Sequence, residues 1–562
     1  MANGIVNIGL RLTATAKENP DAPGVIVHPG SGNPADAQRI SFRDLDLDSN
    51  AIASGLRARG IRPGMRLVLL VPQGIDFISL VFALFKVGAV GVLVDPGMGM
   101  KRMIACLEEV KADGFVAIPI GQAVRTVLRR RFKTAIHNVT VGRRWFWGGA
   151  TLKELREARK KTGSNAAADF EPANTQAEDP AAIIFTSGAT GIPKGVHYRH
   201  GNFDQQVEQI RDRYGIEPGG IDVAAFPLFS LFNAGMGTTT VLPDMDPTRP
   251  AKVDPTRFVA AVNDFSAGQS FASPAVWNAV GRYCERESVR MPTLHRVLSA
   301  GAPVPPHVLQ RVKAAIAEDG DVHTPYGATE ALPVASISAT EVLGETADKS
   351  ATGAGTCVGK KFSGIDWKII RTTDDPIGDI GDVQPVADGE IGELIVRGPV
   401  VTREYITRVE ANAFSKIADS DAVWHRMGDL GYFDEQQRFW FCGRKAHRVT
   451  TADRVMYPVP CEAIFNTHER VFRTAVVGVG SPGNQEPVAI VEIWPEQQAK
   501  SPDDARALVK QLQQLAQEHS LTKPIKKVLL HRSLPVDVRH NSKINRELLR
   551  EWAAKKGERD EG

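Results

Sequence analysis

The run Thr186-Ser187-Gly188-Ala189-Thr190-Gly191-Ile192-Pro193-Lys194-Gly195 has the residue types and order to hold a polyphosphate. Glycines let backbone N–H groups approach an anion, the hydroxyls of Thr186, Ser187 and Thr190 can donate hydrogen bonds, and Lys194 supplies a point charge. Lys194 is followed by Gly195, not by Ser or Thr, so this is not a Walker A loop. A Gly/Ser/Thr loop alone would be an ordinary surface turn; the fixed order closing on Pro-Lys-Gly is far more specific. A second stretch, Tyr326-Gly327-Ala328-Thr329-Glu330, joins an aromatic face to a hard oxygen ligand suited to Mg²⁺.

In this order the two stretches resemble those of the adenylate-forming superfamily, which includes acyl-CoA synthetases, luciferases and peptide-synthetase adenylation domains. The resemblance runs from about Ser41 to Arg546. It implies phosphate binding by Thr186, Ser187, Gly188, Thr190, Gly191 and Lys194. Adenine would stack on the turn containing Gly301, Ala302 and Pro303 and on Tyr326-Gly327; Thr329 would bond the α-phosphate and Glu330 would hold Mg²⁺. Met427-Gly428-Asp429 resembles the motif whose Asp holds both ribose hydroxyls, bonds a carboxylate accepts readily, and Arg444 would reach phosphate oxygens. Lys543, before Ile544-Asn545-Arg546, matches the lysine that pairs with the attacking carboxylate and the α-phosphate. Phe226 to Phe232 resembles a motif lining the acyl pocket, with Ser230 where relatives often carry His. The implied reaction is carboxylate plus ATP to acyl-adenylate plus pyrophosphate, with Mg²⁺. The implied fold is α/β: a large N-terminal domain of layered sheets and helices, residues 1–445, and a small mobile C-terminal α+β domain, residues 446–562, carrying Lys543.

The chain also departs from the superfamily pattern. Where relatives place Asp or Lys at a hinge it has Ala446, and where they carry Lys-Gly in the loop used for thioester formation it has Ala452-Asp453. The Arg539-His540-Asn541-Ser542-Lys543-Ile544 ending and the altered hinge resemble the olefin β-lactone synthetases of bacterial long-chain hydrocarbon biosynthesis. That resemblance implies activation of a long-chain 2-alkyl-3-hydroxy acid whose own hydroxyl then closes a β-lactone, alongside other enzymes of the olefin pathway. The alternatives are a fatty acyl-CoA synthetase or acyl-AMP ligase, and an inactive scaffold subunit; intact Lys194, Glu330, Asp429, Arg444 and Lys543 argue against the last. His447 and His540 are candidates for the base acting on the hydroxyl, each set against ordinary surface placement.

The elements that must position these residues can be read from periodicity. Ala181 to Phe185 is a short apolar run, predicted to be a buried strand. Ser41 to Gly60 predicts a helix, Arg66 to Val71 a strand, Ile75 to Lys86 a helix and Ala89 to Asp95 a strand. This alternation predicts parallel sheet in a layered fold. In Val124 to Trp147, Val124, Val127, Leu128, Phe132 and Ile136 fall on one face of a basic helix. The helix packs on its domain, or the stretch meets a membrane surface or a partner. Leu155 to Asp179 is polar and reads as a flexible connection, and Arg473 to Val479 and Val488 to Ile493 as strands, with a helix from Asp503 to His519.

Composition bounds the rest. At 562 residues two or more domains are expected. A net charge of +3 gives no footprint for nucleic acid. Five cysteines in no ligand-like spacing suit a reducing cytoplasm, the N-terminus lacks a signal-peptide pattern, and no apolar run reaches the length of a membrane span.

Overall fold

The computed structural model describes residues 4–30, 32–158, 170–186, 192–226, 228–536 and 543–560. The apolar run before the phosphate loop is the strand Pro180–Phe185, with Ala181, Ala182, Ile183 and Phe185 buried. It lies near one edge of a seven-stranded sheet ordered Ala150–Thr151, His137–Thr140, Gly114–Ala117, Arg66–Leu70, Val90–Leu93, Pro180–Phe185, Gly195–Arg199. Neighbours in this sheet are parallel except the last pair, so the segment expected to bind phosphate joins two antiparallel strands.

A second sheet has a parallel run: Pro23–Val27, Thr239–Leu242, Ile221–Ala224, Gln269–Ala272, Arg296–Ser299 and Asp321–Ala328. Ala331–Ser338 turns back antiparallel and leads into a wing that includes Ala422–Phe433 and Phe439–Arg444. A third sheet, Val471–Val479, Glu486–Ile493 and Lys527–Leu530, is covered by Pro502–Glu518 on one face and Arg546–Asp560 on the other. The α/β expectation holds.

Ser41 caps the helix Phe42–Ala58 by accepting from Asp44 N at 3.0 Å, and the helix Ile75–Val87 stops at Gly88, whose φ of +78° suits glycine. Lys86 is the one charge in the apolar run 77–94 and is fully buried. Its ammonium reaches Asp46 Oδ1 at 2.5 Å, Asn50 Oδ1 at 2.6 Å and Ser49 Oγ at 2.7 Å, tying the two helices together. Burial lowers the Lys86 pKa and Asp46 opposes that shift. Lys86→Met leaves this acceptor set without its cation and should cost about 3–5 kcal/mol, seen as a lowered unfolding midpoint. An unchanged midpoint would show that the acceptors re-pair without the cation.

Two expectations are corrected. The basic segment is not one long helix: Pro119–Val127 is helical and then the chain turns, because it must re-enter the sheet at His137 parallel to Gly114–Ala117. Phe132 is buried, whereas Val127 and Ile136 are exposed. The start of the polar connection is also ordered. Leu152–Ala158 is a helix whose buried Leu155 sits where Gly55 of Phe42–Ala58 leaves room; a Cβ on Gly55 would lie 2.6 Å from Leu155 O.

Candidate active site

The two large sheets meet at one seam. The edge strand Gly195–Arg199 is bonded on its open side by residues 404–407: His197 N donates to Glu404 O at 3.1 Å, Ile406 N to Gly195 O at 3.0 Å, and Gly195 N to Thr407 Oγ1 at 2.7 Å. The same segment reaches the second sheet, where Thr402 N and Oγ1 donate to Glu330 O at 2.9 and 3.0 Å. Tyr198 closes the seam by donating to Thr329 O at 2.6 Å. The phosphate-loop neck is shut by Thr186 N to Lys194 O at 3.0 Å and Lys194 N to Thr186 Oγ1 at 3.1 Å. Lys194 and the Thr329-Glu330 turn, 135 residues apart in sequence, therefore face one cleft. Ser187, Gly188, Thr190 and Gly191 lie outside the described residues.

Tyr405 lies buried between Lys194 and Glu330. Its hydroxyl donates to Glu330 Oε1 at 2.5 Å, and the Lys194 ammonium lies 4.6 Å from its ring centroid. Lys416, the ladder partner of His425, donates to Thr402 O and lies 5.7 Å from the same ring. Burial pushes the Lys416 ammonium down to about 7, Glu330 opposes this and Lys194 adds to it. Burial, reinforced by Lys416, holds His425 well below the usual imidazole range; the ring's Nδ1 meets Ser415 O at 3.0 Å, so that nitrogen carries the proton. Sequence reasoning missed Thr402, Tyr405, Thr407 and Lys416. Tyr405 and Thr407 lie in Arg403-Glu404-Tyr405-Ile406-Thr407, in which no residue looks catalytic until it is seated between the sheets.

A second group forms around Asp429. Tyr326 donates its hydroxyl to Asp429 Oδ2, and Arg444 Nη1 donates to Asp429 Oδ1 and to Met427 O, both at 2.7 Å. Asp429 and Arg444 are direct cross-strand partners, which explains how residues 15 apart meet. Burial and the neighbouring Asp429 raise the Tyr326 phenol well above its usual pKa, and Asp429 keeps Arg444 charged. The Tyr326 ring packs against Phe439 with centroids 6.0 Å apart. Gly327 is required by space: a Cβ there would lie 2.6 Å from Ala331 O across the hairpin. Gly301, Ala302 and Pro303 follow the strand Arg296–Ser299, the neighbour of Asp321–Ala328, and Gly301 has a φ of +100°.

Lys543 comes from the C-terminal part of the chain. It precedes Ile544, which bridges to Val536 and packs against the apolar cluster that includes Val477 and Leu534, while Asn545 N donates to Pro535 O at 2.8 Å. Arg546, three residues on, pairs with both oxygens of Glu462 at 2.6 and 2.7 Å. His447 is not an ordinary surface histidine: it is partly buried, and burial with the charges of Arg546 and Arg444 pushes its imidazole down to about 3. The segment carrying Lys543 and the strand carrying Arg444 thus act on one side chain. His540 lies outside the described residues. Ala446 is exposed between two anchored neighbours: Lys445 reaches Glu393 Oε2 at 3.1 Å and Thr373 O at 3.0 Å, and Arg448 pairs with Asp374. Ala452 and Asp453 sit in the turn between Val449–Thr450 and Val455–Met456, where Asp453 accepts from Thr451 Oγ1 at 2.7 Å.

The donor set fits a cation held jointly with phosphate oxygens. Among the described residues, no group of three or more His, Cys, Asp or Glu side chains could hold a metal by itself. Glu330 offers a carboxylate aimed by Tyr405, and Mg²⁺ commonly takes one or two carboxylates with substrate phosphates completing its shell. Glu330→Gln should raise the Mg²⁺ needed for half-maximal turnover by about tenfold, since an amide oxygen carries no charge. An unchanged Mg²⁺ titration would place the metal elsewhere.

Residues 12–406 match the family model described as "AMP-binding enzyme". The chain is 42% identical over 558 residues to an olefin β-lactone synthetase of Xanthomonas campestris pv. campestris and 43% identical over 560 residues to one of Stenotrophomonas maltophilia, with 98% of each chain covered in both pairs. The fold superposes on the ATP-bound crystal structure of MatB from Rhodopseudomonas palustris with a TM-score of 0.77, 19% identity, and coverage of 98% of this chain and 99% of that one. The chain therefore belongs to the AMP-binding, adenylate-forming enzyme family, on the branch shared with the olefin β-lactone synthetases.

Proposed function

We propose that this enzyme activates a long-chain 2-alkyl-3-hydroxy acid with ATP and converts the acyl-adenylate to a β-lactone. The observation that carries the reading is identity of 42–43% sustained over 98% of the chain with proteins named olefin β-lactone synthetase. In the first step a carboxylate oxygen attacks the α-phosphorus and pyrophosphate leaves. In the second, the 3-hydroxyl oxygen attacks the acyl carbon, its proton leaves to a base, and AMP departs. Mg²⁺, when bound, offsets charge on the triphosphate.

The site residues take the following roles in this reading. Thr186, Ser187, Gly188, Thr190, Gly191 and Lys194 hold the phosphates. Gly301, Ala302, Pro303, Tyr326 and Gly327 hold the base. Asp429 keeps acceptor lone pairs beyond those used by Tyr326 and Arg444, so it can take the ribose hydroxyls while they fix its orientation. Thr329 and Arg444 meet the α-phosphate, Glu330 holds Mg²⁺, and Lys543 stabilises charge at the phosphorus. Lys416, beside Lys194, adds positive potential where pyrophosphate forms when it is protonated, the state that a bound phosphate favours. Fixed charges of this kind need no reorganisation at the moment of reaction.

Residues 1–445 form the nucleotide- and acyl-binding domain and 446–562 a mobile domain that brings Lys543 to it. The enzyme works in the cytoplasm, where its five free cysteines stay reduced, beside other enzymes of the olefin pathway. Residues 124–147 provide a surface for peripheral contact. The test of function is the product formed from a 2-alkyl-3-hydroxy acid with ATP and Mg²⁺: a lactone supports the reading, and a CoA thioester formed only when CoA is added overturns it.

A further inference from the structure

Residues 114–153 carry eight Lys or Arg side chains and no Asp or Glu, in a chain whose net charge is only +3. Arg131 pairs with Glu108 and Arg144 with Glu154, but Arg129, Arg130, Lys133 and Arg143 are exposed and make no ion pair with a described residue. The same stretch holds five exposed large apolar side chains: Ile120 (66%), Val127 (78%), Ile136 (75%), Trp145 (57%) and Phe146 (75%). Ile120 and Val127 are seven residues apart on the helix Pro119–Val127 and so share a face, while Gln122 on the opposite side is buried and donates to Phe115 O and Val139 O.

The loop between the strands His137–Thr140 and Ala150–Thr151 is built to present its aromatic rings. Trp147 is buried, with its indole N–H on Thr140 Oγ1 at 2.9 Å, and its ring lies 5.3 Å from Trp145 and 5.0 Å from Phe146. Arg144 holds the loop from the other side by donating to Gly149 O at 2.6 Å. Where the loop starts, Gly142 faces Pro119 at the head of the helix; where it ends, Gly149 lies against Asn138, two residues from Ile136. The loop therefore runs along the outer edge of the seven-stranded sheet and links the exposed helix face to the exposed start of the His137–Thr140 strand.

We infer that this face docks the enzyme on an anionic lipid bilayer, with Trp145 and Phe146 entering the headgroup boundary and Arg129, Arg130, Lys133 and Arg143 meeting lipid phosphates. This narrows the peripheral contact proposed above to one lipid chemistry. Charge complementarity selects the anionic surface, since Arg129, Arg130, Lys133 and Arg143 make no ion pair with a described carboxylate and leave the face net positive. An amphipathic ring beside basic side chains is the composition that settles at a membrane interface. No helix among the described residues is long and apolar enough to cross a membrane, so contact through this face would be peripheral.

The test is sedimentation of the full chain with vesicles of phosphatidylcholine alone or with about a third phosphatidylglycerol. Binding should require phosphatidylglycerol and weaken with salt. Arg129→Glu/Arg130→Glu/Lys133→Glu should bind roughly a hundredfold more weakly. Trp145→Ser/Phe146→Ser should weaken binding while leaving the salt dependence. Both sets are exposed and away from the cleft, so pyrophosphate release from a detergent-dispersed acid should be unchanged. That readout also separates failure of this inference from failure of the proposed reaction. Equal binding to neutral vesicles, or unchanged binding by the triple variant, overturns the inference. So does an absence of vesicle binding, and loss of a purified pathway enzyme's binding on Trp145→Ser in that case would assign the face to a protein.

Discussion

Lys543→Ala should fold as the parent does and release pyrophosphate at least a hundredfold more slowly. The fold expectation follows from the surroundings. The segment is held by the Ile544–Val536 bridge, by Ile544 packing against the cluster that includes Val477 and Leu534, and by the Arg546–Glu462 pair, all of which Lys543→Ala leaves in place. The rate expectation follows from charge. In-line displacement brings a carboxylate to a phosphate that already carries negative charge, and a cation at that point stabilises the transition state more than the ground state. Losing it should cost on the order of 3 kcal/mol or more, which is roughly a hundredfold. A second half-reaction started from synthetic acyl-adenylate should be much less affected, because the displacement at phosphorus is already complete. Near-parental pyrophosphate release by a folded Lys543→Ala protein would remove Lys543 from the adenylation step.

The parts of the site that could be read in sequence are those whose chemistry is local. Lys194, Asp429 and Arg444 each have a glycine as neighbour, and Glu330 has Gly327 three residues before it, where a Cβ would meet Ala331 O. The strand before the phosphate loop was legible because a run buried on both faces is apolar throughout. What sequence could not supply is the seam. Tyr405 becomes the partner of Glu330 only when residues 402–407 are laid between two sheet edges, a contact that no periodicity records. Lys416 reads as a solvated lysine on a short strand until burial beside Tyr405 is seen. The basic segment misled for the opposite reason. Its apolar residues do keep helical spacing, but the chain must return to start the next parallel strand, and that tertiary demand ends the helix at Val127.

The product should be a β-lactone formed without CoA. The hinge position and the loop that relatives use for thioester formation hold Ala446, Ala452 and Asp453. Here Ala446 lies between Lys445 and Arg448, both anchored to residues 373–393, and Asp453 is folded back on its own turn. These features support a second step whose nucleophile is already on the substrate. A 3-hydroxyl is tethered to the carbon it attacks, and tethering replaces a second binding event with a large effective concentration. Ring strain opposes closure, but the mixed anhydride is high in energy and AMP is released. The hydroxyl proton needs an acceptor, and His447 can serve only where the anion of the bound adenylate offsets its surroundings, because burial and two guanidinium groups push its imidazole down to about 3 and leave it a weak base. With a 2-alkyl-3-hydroxy acid, ATP and Mg²⁺, the neutral product should be lighter than the acid by one water, with AMP formed in equal amount. The same acid without its hydroxyl should stop at the acyl-adenylate, giving about one pyrophosphate per enzyme and then a rate limited by hydrolysis. Adding CoA should change neither result. His447→Ala should slow lactone formation more than pyrophosphate release; equal effects on both would assign His447 to adenylation geometry. If a plain fatty acid turns over as fast as the hydroxy acid and yields thioester with CoA, the chain is an acyl-CoA synthetase and the lactone assignment fails.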